Sequence, residues 1–278
     1  MSAVRFSPLR AWLIAGNTLR EAARQRFFQF LLLLAFALTL GARWLRDFNF
    51  GAPELKFLAD CGFGAMAFLG AALTITATAQ LFFSEVDNRT ALTLLAKPVR
   101  RAEFVLGKLI GVAVLSAVFC GLLTGLLSVV LAWREAELGR LLPEAAVSGG
   151  GVSHAMVALG GLMQWLRLLV LAAFTLLVAT FAQSQLFSVV TGFLVLVVCH
   201  LQHLAQDAYA RAGSIAGLMA SSLIASIFPD FQVFQLADSL ASADLPAAGD
   251  VVRVTLYAFA YAAAAAGLAV VSFRRREI

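Results

Sequence analysis

Charged residues are scarce in this chain of 278 residues: Asp, Glu, Lys and Arg together make up 13%, whereas 61% of the residues are hydrophobic. Soluble domains carry about 25% charged and 45–50% apolar residues. The composition therefore excludes an ordinary soluble domain and predicts an integral membrane protein. The formal net charge of +5 does not indicate a nucleic-acid partner, because the basic residues of a membrane protein first report its orientation.

Cysteine is also rare. Cys61, Cys120 and Cys199 each lie inside or at the edge of an apolar run, and no two of them form a C-x-x-C pair. This distribution excludes a disulfide framework or a zinc ribbon and predicts small buried apolar side chains. A cleavable signal peptide is not expected, since the first apolar run begins only at Phe27, after a basic amphipathic segment.

Signatures of catalysis and nucleotide binding are missing from the sequence. The stretch "VLGKLIG" at 105–111 has a Lys after a Gly, but it lacks the upstream glycine and the following hydroxyl of a phosphate-binding loop. The sequence shows no Ser-His-Asp arrangement and no paired carboxylates within its apolar runs. We therefore expect that this chain is not an enzyme and binds no cofactor itself.

Long apolar runs are abundant. A bilayer core about 30 Å thick requires about 20 apolar residues per helix. The chain has six such runs, at 27–45, 61–83, 104–132, 164–183, 186–204 and 251–273. The sequence thus predicts an all-α integral membrane protein with six transmembrane helices, organised as a single domain over residues 1–278.

The distribution of Lys and Arg predicts which side of the membrane each loop occupies. With six spans, both termini and the loop 84–103 share one side, which carries thirteen basic residues against seven on the other side. Basic residues accumulate on the cytoplasmic side. We therefore expect cytoplasmic termini, a cytoplasmic loop 84–103, and extracytoplasmic segments at 46–60, 133–163 and 205–250.

One apolar stretch, "SIAGLMASSLIASIF" at 214–228, is short for a transmembrane helix. If it crossed the membrane, the three arginines at 274–276 would lie outside, against the charge rule. It is predicted to be an external helix or a re-entrant segment.

The N-terminal segment 5–26 has the periodicity of an amphipathic helix. Trp12 and Leu13 belong to its apolar face, and Arg20 and Arg24 belong to its basic face. A helix of this kind lies along the membrane surface. We predict an interfacial helix in contact with lipid.

The most polar stretch in the first half of the chain is "SEVDNRTALTLLAKPVRRAEFVLGK" at 84–108. Residues 88–97 read as a short helix that Pro98 ends, because proline disfavours helical geometry in the residue before it. Leucines exposed among charges are what a helix presents to a groove of another protein. From the residues alone, a protein-docking helix and an ordinary solvated connector are equally supported.

This stretch resembles the cytoplasmic loop of permease subunits in type-2 ATP-binding-cassette (ABC) transporters, the class that includes the NosY-like permeases. The resemblance rests on Glu85, Arg89–Thr90, Leu94–Leu95, Lys97–Pro98–Val99, Arg101 and Gly107–Lys108. "IAGNTLREAARQRFFQFLLLLAF" is similar to the connecting helix and first span of that class. "FPDFQVFQLAD" at 228–238 is similar to its extracytoplasmic segment before the last span.

The resemblance implies that 88–97 is a coupling helix that docks onto a separate ABC ATPase subunit, on which ATP and Mg would bind. The implied docking residues are Glu85, Asp87, Arg89, Thr90, Leu92, Leu94, Leu95, Lys97, Pro98 and Arg101. It also implies a second permease subunit, identical or not, and a location in the bacterial inner membrane. The resemblance implies export more than import, while the substrate stays open.

Two smaller residue sets attract attention. The glycines Gly107, Gly111, Gly121 and Gly125 fall within one arc of the third predicted helix, which predicts close packing of another helix more than a transport path. His200, His203 and Asp207 share a helical face, but two histidines and one acid are a weak metal site, and no metal is expected. Arg167 is predicted to extend from near the outer end of its span to the membrane interface.

Two other functions remain open at this stage. A secondary transporter or channel acting alone would show acids within its spans or broken helices in the two halves, and no intramembrane acid is present. A membrane scaffold that recruits a soluble partner through the same loop is compatible with the sequence.

Overall fold

The computed structural model describes residues 8–44, 54–87, 101–141, 153–212, 227–239 and 246–275. Within these residues the fold is entirely helical, as predicted. The α-helices are α1 (Pro8–Arg24), α2 (Arg26–Gly41), α3 (Glu54–Asp87), α4 (Arg101–Leu141), α5 (His154–Phe181), α6 (Gln185–Ala212) and α7 (Ala248–Arg275). A 3₁₀ helix, Phe231–Ser239, precedes α7.

Five of these helices, α3 to α7, are each long and apolar enough to cross a membrane. The helices α1 and α2 satisfy the same criterion only as a pair, and they are bent by 68° relative to each other around Gln25. The chain is therefore a multi-pass membrane protein with five candidate spans among the described residues, or six if the bent pair counts as one.

The centre of the bundle is α5. It packs against α3, α4, α6, α7 and the 3₁₀ helix. Within its most apolar stretch, 72% is buried inside the protein, a larger share than in the other four candidate spans. Because α5 is largely surrounded by protein, most side chains in this stretch contact other helices of the chain.

Several helices extend beyond the apolar runs that predicted them. The fourth predicted span began at residue 164, but α5 begins at His154, where the Ser153 side chain accepts a hydrogen bond from the Met156 amide. The helix α4 continues to Leu141, past the predicted end at 132. Much of the segment 133–163 is therefore helical.

Ion pairs join three helices where α2 and α4 end and α3 begins, which we call the opposite end. Arg134 of α4 pairs with Glu54 of α3 at 2.7 Å and with Glu137 at 2.7 Å. Arg43, just after α2, lies 3.2 Å from Glu137, and its guanidinium is 4.3 Å from the ring centre of Trp133. These charges stabilise a helical extension that hydropathy alone does not detect.

Candidate functional site at the basic end of the bundle

We call the other end of the bundle the basic end. Here α3 and α5 end, α4 and α6 begin, α7 ends, and α1 packs mainly against α4. Its core is a cluster of phenylalanines from three helices, Phe82 and Phe83 of α3, Phe104 of α4 and Phe273 of α7. Phe82 lies at the centre, with ring centroids 5.6 Å from Phe83, 6.1 Å from Phe104 and 5.6 Å from Phe273. The cluster fixes the ends of α3, α4 and α7 relative to one another.

The residues 88–100 connect α3 to α4 at this end, and both flanking helices contact α1. The Ser84 hydroxyl of α3 donates a hydrogen bond to Glu21 of α1 at 3.3 Å. Arg10 of α1 lies 3.8 Å from Glu103 of α4, whose side chain is fully buried. A displacement of the connection 88–100 would therefore act on α1 through two contacts, one with the end of α3 and one with the start of α4.

The start of α4 is also attached to the end of α7. Nη1 of Arg101 donates to the carbonyl oxygens of Phe273 at 3.0 Å and of Arg274 at 2.9 Å. The last carbonyls of a helix have no partner within the helix, so a cationic donor there stabilises its end. The contact of Arg101 with a partner protein stays a prediction, and within the chain its side chain caps α7.

The glycines of α4 separate into two pairs. A Cβ added to Gly107 would lie 2.8 Å from the Ile14 side chain, and one added to Gly111 would lie 2.7 Å from the Thr18 side chain. Both glycines thus face α1. At Gly121 and Gly125 an added Cβ would meet no described atom within 4 Å. Of the four glycines, Gly107 and Gly111 are therefore the two at which α1 packs closely against α4.

The face of α1 that meets these glycines carries the small side chains of Ala11, Ala15, Thr18 and Ala22, with Ile14 beside Gly107. The apolar face predicted from the sequence points elsewhere, since Leu9, Trp12 and Leu13 are 69%, 64% and 66% exposed. The helix α1 thus has three faces: a small-residue face on α4, an outward apolar face and a basic face. The sequence analysis missed the first face, although the helical spacing of Ala11, Ala15, Thr18 and Ala22 could have predicted it.

Comparison with known families agrees with this architecture. The sequence profile described as "ABC-2 family transporter protein" matches residues 12–278. The chain belongs to the ABC-2 transporter family. No curated protein matches the chain. The match confirms the type-2 ABC permease resemblance and places this protein among membrane components of ABC transporters, which are not themselves catalytic.

In this ABC-2 protein, most of the predicted docking residues lie outside the described residues. This applies to Arg89, Thr90, Leu92, Leu94, Leu95, Lys97 and Pro98. Glu85 and Asp87 belong to the last turn of α3, but their side chains lie outside the description. The apolar segment 214–228 also falls almost entirely outside it. These assignments remain predictions.

The predicted position of Arg167 near the outer end of its span is wrong. Because α5 begins at His154, Arg167 lies midway along that helix, and its side chain is only 7% exposed. Nη2 lies 3.3 Å from Nδ1 of His200, and Cζ lies 5.0 Å from the ring centre of Phe231. The side chain therefore contacts groups in the interior of this ABC-2 protein instead of extending to the membrane interface.

The weak metal candidate consisted of His200, His203 and Asp207. Nδ1 of His200 accepts a hydrogen bond from Arg167, and the side chain of Asp207 is outside the described residues. Among the side chains that the structure does describe, no three His, Cys, Asp or Glu residues are grouped closely enough to hold a metal ion.

Proposed function

We propose that this chain is the permease subunit of an ABC exporter and that residues 88–97 form a coupling helix docked onto a separate ATPase subunit. The observation that carries the proposal is that both helices flanking this segment are attached to α1, through Ser84–Glu21 and Arg10–Glu103. Membership of the ABC-2 family supports an ATPase partner in general.

The proposed coupling follows from these contacts. ATP and Mg bind to the partner, and closure of the ATPase subunits moves the coupling helix. The movement reaches α1 through Glu21 and Arg10, and it reaches α7 through Arg101. Since α1 joins α2 at Gln25 through a bend of 68°, tilting α1 reorients α2.

The proposed assembly contains two permease subunits, identical or different, and two ATPase subunits in a bacterial inner membrane. The side that holds both termini and the loop 84–103 carries thirteen basic residues against seven on the other side. Because basic residues accumulate on the cytoplasmic side, this supports a cytoplasmic location for the basic end and for both termini. The NosY-like subgroup and outward transport belong to the same proposal and rest on the resemblance of the loop.

Affinity purification from native membranes tests the docking contact, with ABC ATPase subunits quantified by mass spectrometry. Leu95→Asp places a charge in the proposed apolar contact, and we expect recovery of the ATPase to fall at least about tenfold, as for a central interface residue. Leu142→Asp, in the segment predicted on the other side, is the matched control and should leave recovery unchanged. Normal ATPase recovery with Leu95→Asp would contradict the docking site.

Hydrogen–deuterium exchange tests the transmission of force. In the assembled transporter, a non-hydrolysable ATP analogue should change exchange in α1 and in residues 270–275. Arg101→Gln removes the donor to the end of α7 and should abolish the change at 270–275 while keeping the change in α1. Equal responses of both regions in this variant would show that Arg101 does not connect them.

A further inference from the structure

A cavity of about 680 Å³ lies between α3, α5, α6 and the 3₁₀ helix. Its volume falls within the range of about 300–1,000 Å³ typical of small-molecule sites. Its lining includes Lys56, Phe63, Gly64, Gln164, Arg167 and Phe234. The cavity belongs to the half of the bundle away from the proposed ATPase docking segment, because α3 begins and α6 ends there.

The charge of Arg167, on the cavity wall, is not balanced by an acid. The side chain is 7% exposed, and no ion pair joins it to a carboxylate among the described side chains. Its described polar contact is with His200, and its other contact is with the face of the Phe231 ring. An uncompensated buried guanidinium is costly, and charged groups within membrane helices usually mark a functional site.

His200 does not reduce this positive charge. A guanidinium has only N–H donors, so Nδ1 of His200 must accept the hydrogen bond. The imidazole is then neutral, with its proton on Nε2. It orients Arg167 and leaves the other N–H groups of the guanidinium available for a ligand that carries negative charge.

The other polar groups of the cavity add little net charge. Lys56 and the exposed Asp60, one turn apart on α3, both line it and carry opposite charges. Oε1 of Gln164, close to Arg167 on α5, is buried and has no hydrogen-bond partner in the described structure. A ligand with an anionic group and an adjacent hydroxyl would satisfy both Arg167 and Gln164.

The remaining walls are apolar. Phe63, Phe68, Leu196, Val197 and Phe234 line the cavity, and Phe68 is 71% exposed. Because α3 is long and apolar enough to cross a membrane, such an exposed phenylalanine is accessible to lipid chains. The cavity thus combines a buried cation with an apolar wall that reaches the lipid-facing surface.

We propose that this cavity binds the anionic head group of an amphiphile, with Arg167 as the anion-binding residue and the apolar tail lying along Phe63 and Phe68. The site adds a ligand class to the chain and does not depend on the proposed ATPase coupling. Phosphatidylglycerol has the required chemistry, since its head group carries one negative charge and hydroxyls.

Lipid binding to the full-length protein in a neutral detergent tests the site, measured by native mass spectrometry without the ATPase subunit. Dioleoyl phosphatidylglycerol should bind about tenfold more tightly than dioleoyl phosphatidylcholine, which has the same acyl chains and no net charge. Arg167→Gln should abolish this preference. Arg253→Gln, which removes an exposed cation near the start of α7, is the matched control and should retain it.

A second pair of variants tests the cavity without changing charge. A Cβ added to Gly64 meets no described atom within 4 Å, so Gly64→Leu should fold and fill the cavity, lowering phosphatidylglycerol binding about tenfold. Gly139→Leu, at an exposed position outside the cavity, should have no effect. An unchanged preference in Arg167→Gln, or unchanged phosphatidylglycerol binding in Gly64→Leu, would overturn the site. Full competition by millimolar inorganic phosphate would show that the cavity binds a free anion and not an amphiphile.

Discussion

Arg134 holds Glu54 through two contacts: Nε lies 2.7 Å from Oε1, and Nη2 lies 3.0 Å from Oε2. The pair joins α4 to the start of α3, and Arg134 is only 7% exposed. A two-point contact of this kind fixes the relative rotation of the side chains as well as their distance. It is therefore the contact at the opposite end whose loss should be most costly.

Replacing Glu54 by Gln should lower the free energy of unfolding by roughly 3 kcal/mol, because a largely buried guanidinium loses a charged partner. Thermal unfolding in detergent would show this as a lower Tm. Arg43→Gln is the control: both side chains of the Arg43–Glu137 pair are about one-third exposed, and such pairs contribute about 1 kcal/mol or less. Equal losses in the two variants would contradict the assigned role of burial.

Gly111→Leu should loosen α1, because Thr18 occupies the space that a side chain at this position needs. Overpacking of this kind costs roughly 1–3 kcal/mol. We expect amide exchange in residues 8–24 to become at least about tenfold faster. Gly121→Leu, in the same helix but without a described atom near its added Cβ, should leave this exchange unchanged. A similar acceleration in both variants would point to a general effect on α4.

Phe82→Ala should destabilise the basic end, since Phe82 is fully buried and contacts the rings of Phe83, Phe104 and Phe273. Truncation of a buried phenylalanine costs roughly 3–5 kcal/mol. The expected result is a clear fall in Tm in detergent. Phe30→Ala, at a position of α2 that is 60% exposed, removes the same atoms and should change the Tm little. A comparable fall for Phe30→Ala would contradict this interpretation.

The sequence predicted the all-α class and the location of the apolar helices because hydropathy reports the part of a helix that must avoid water. Hydropathy failed to predict the bounds of a helix where charged residues pair with each other. The extension of α4 beyond residue 132 contains Arg134 and Glu137, whose ion pair makes a polar helical segment stable. Hydropathy averaged over a sequence window cannot detect that two charged side chains neutralise each other.

The contacts of the candidate site were less predictable than its location. The stretch 84–108 was recognised from its residues, but the attachment of Ser84 to Glu21 and of Arg101 to the end of α7 joins positions far apart in the chain. Arg167 was misplaced for a simpler reason. Its depth depends on where α5 begins, and Ser153, which caps that helix, was not recognised as a helix start.

The length of α4 has a consequence for the position of the protein in the bilayer. A helix of 41 residues is about 60 Å long, twice the hydrocarbon thickness, and a tilt of about 40° still leaves about 47 Å along the membrane normal. One or both ends of α4 must therefore rise well above the acyl chains. Water-soluble reagents added to sealed vesicles should reach such a protruding stalk without crossing the lipid.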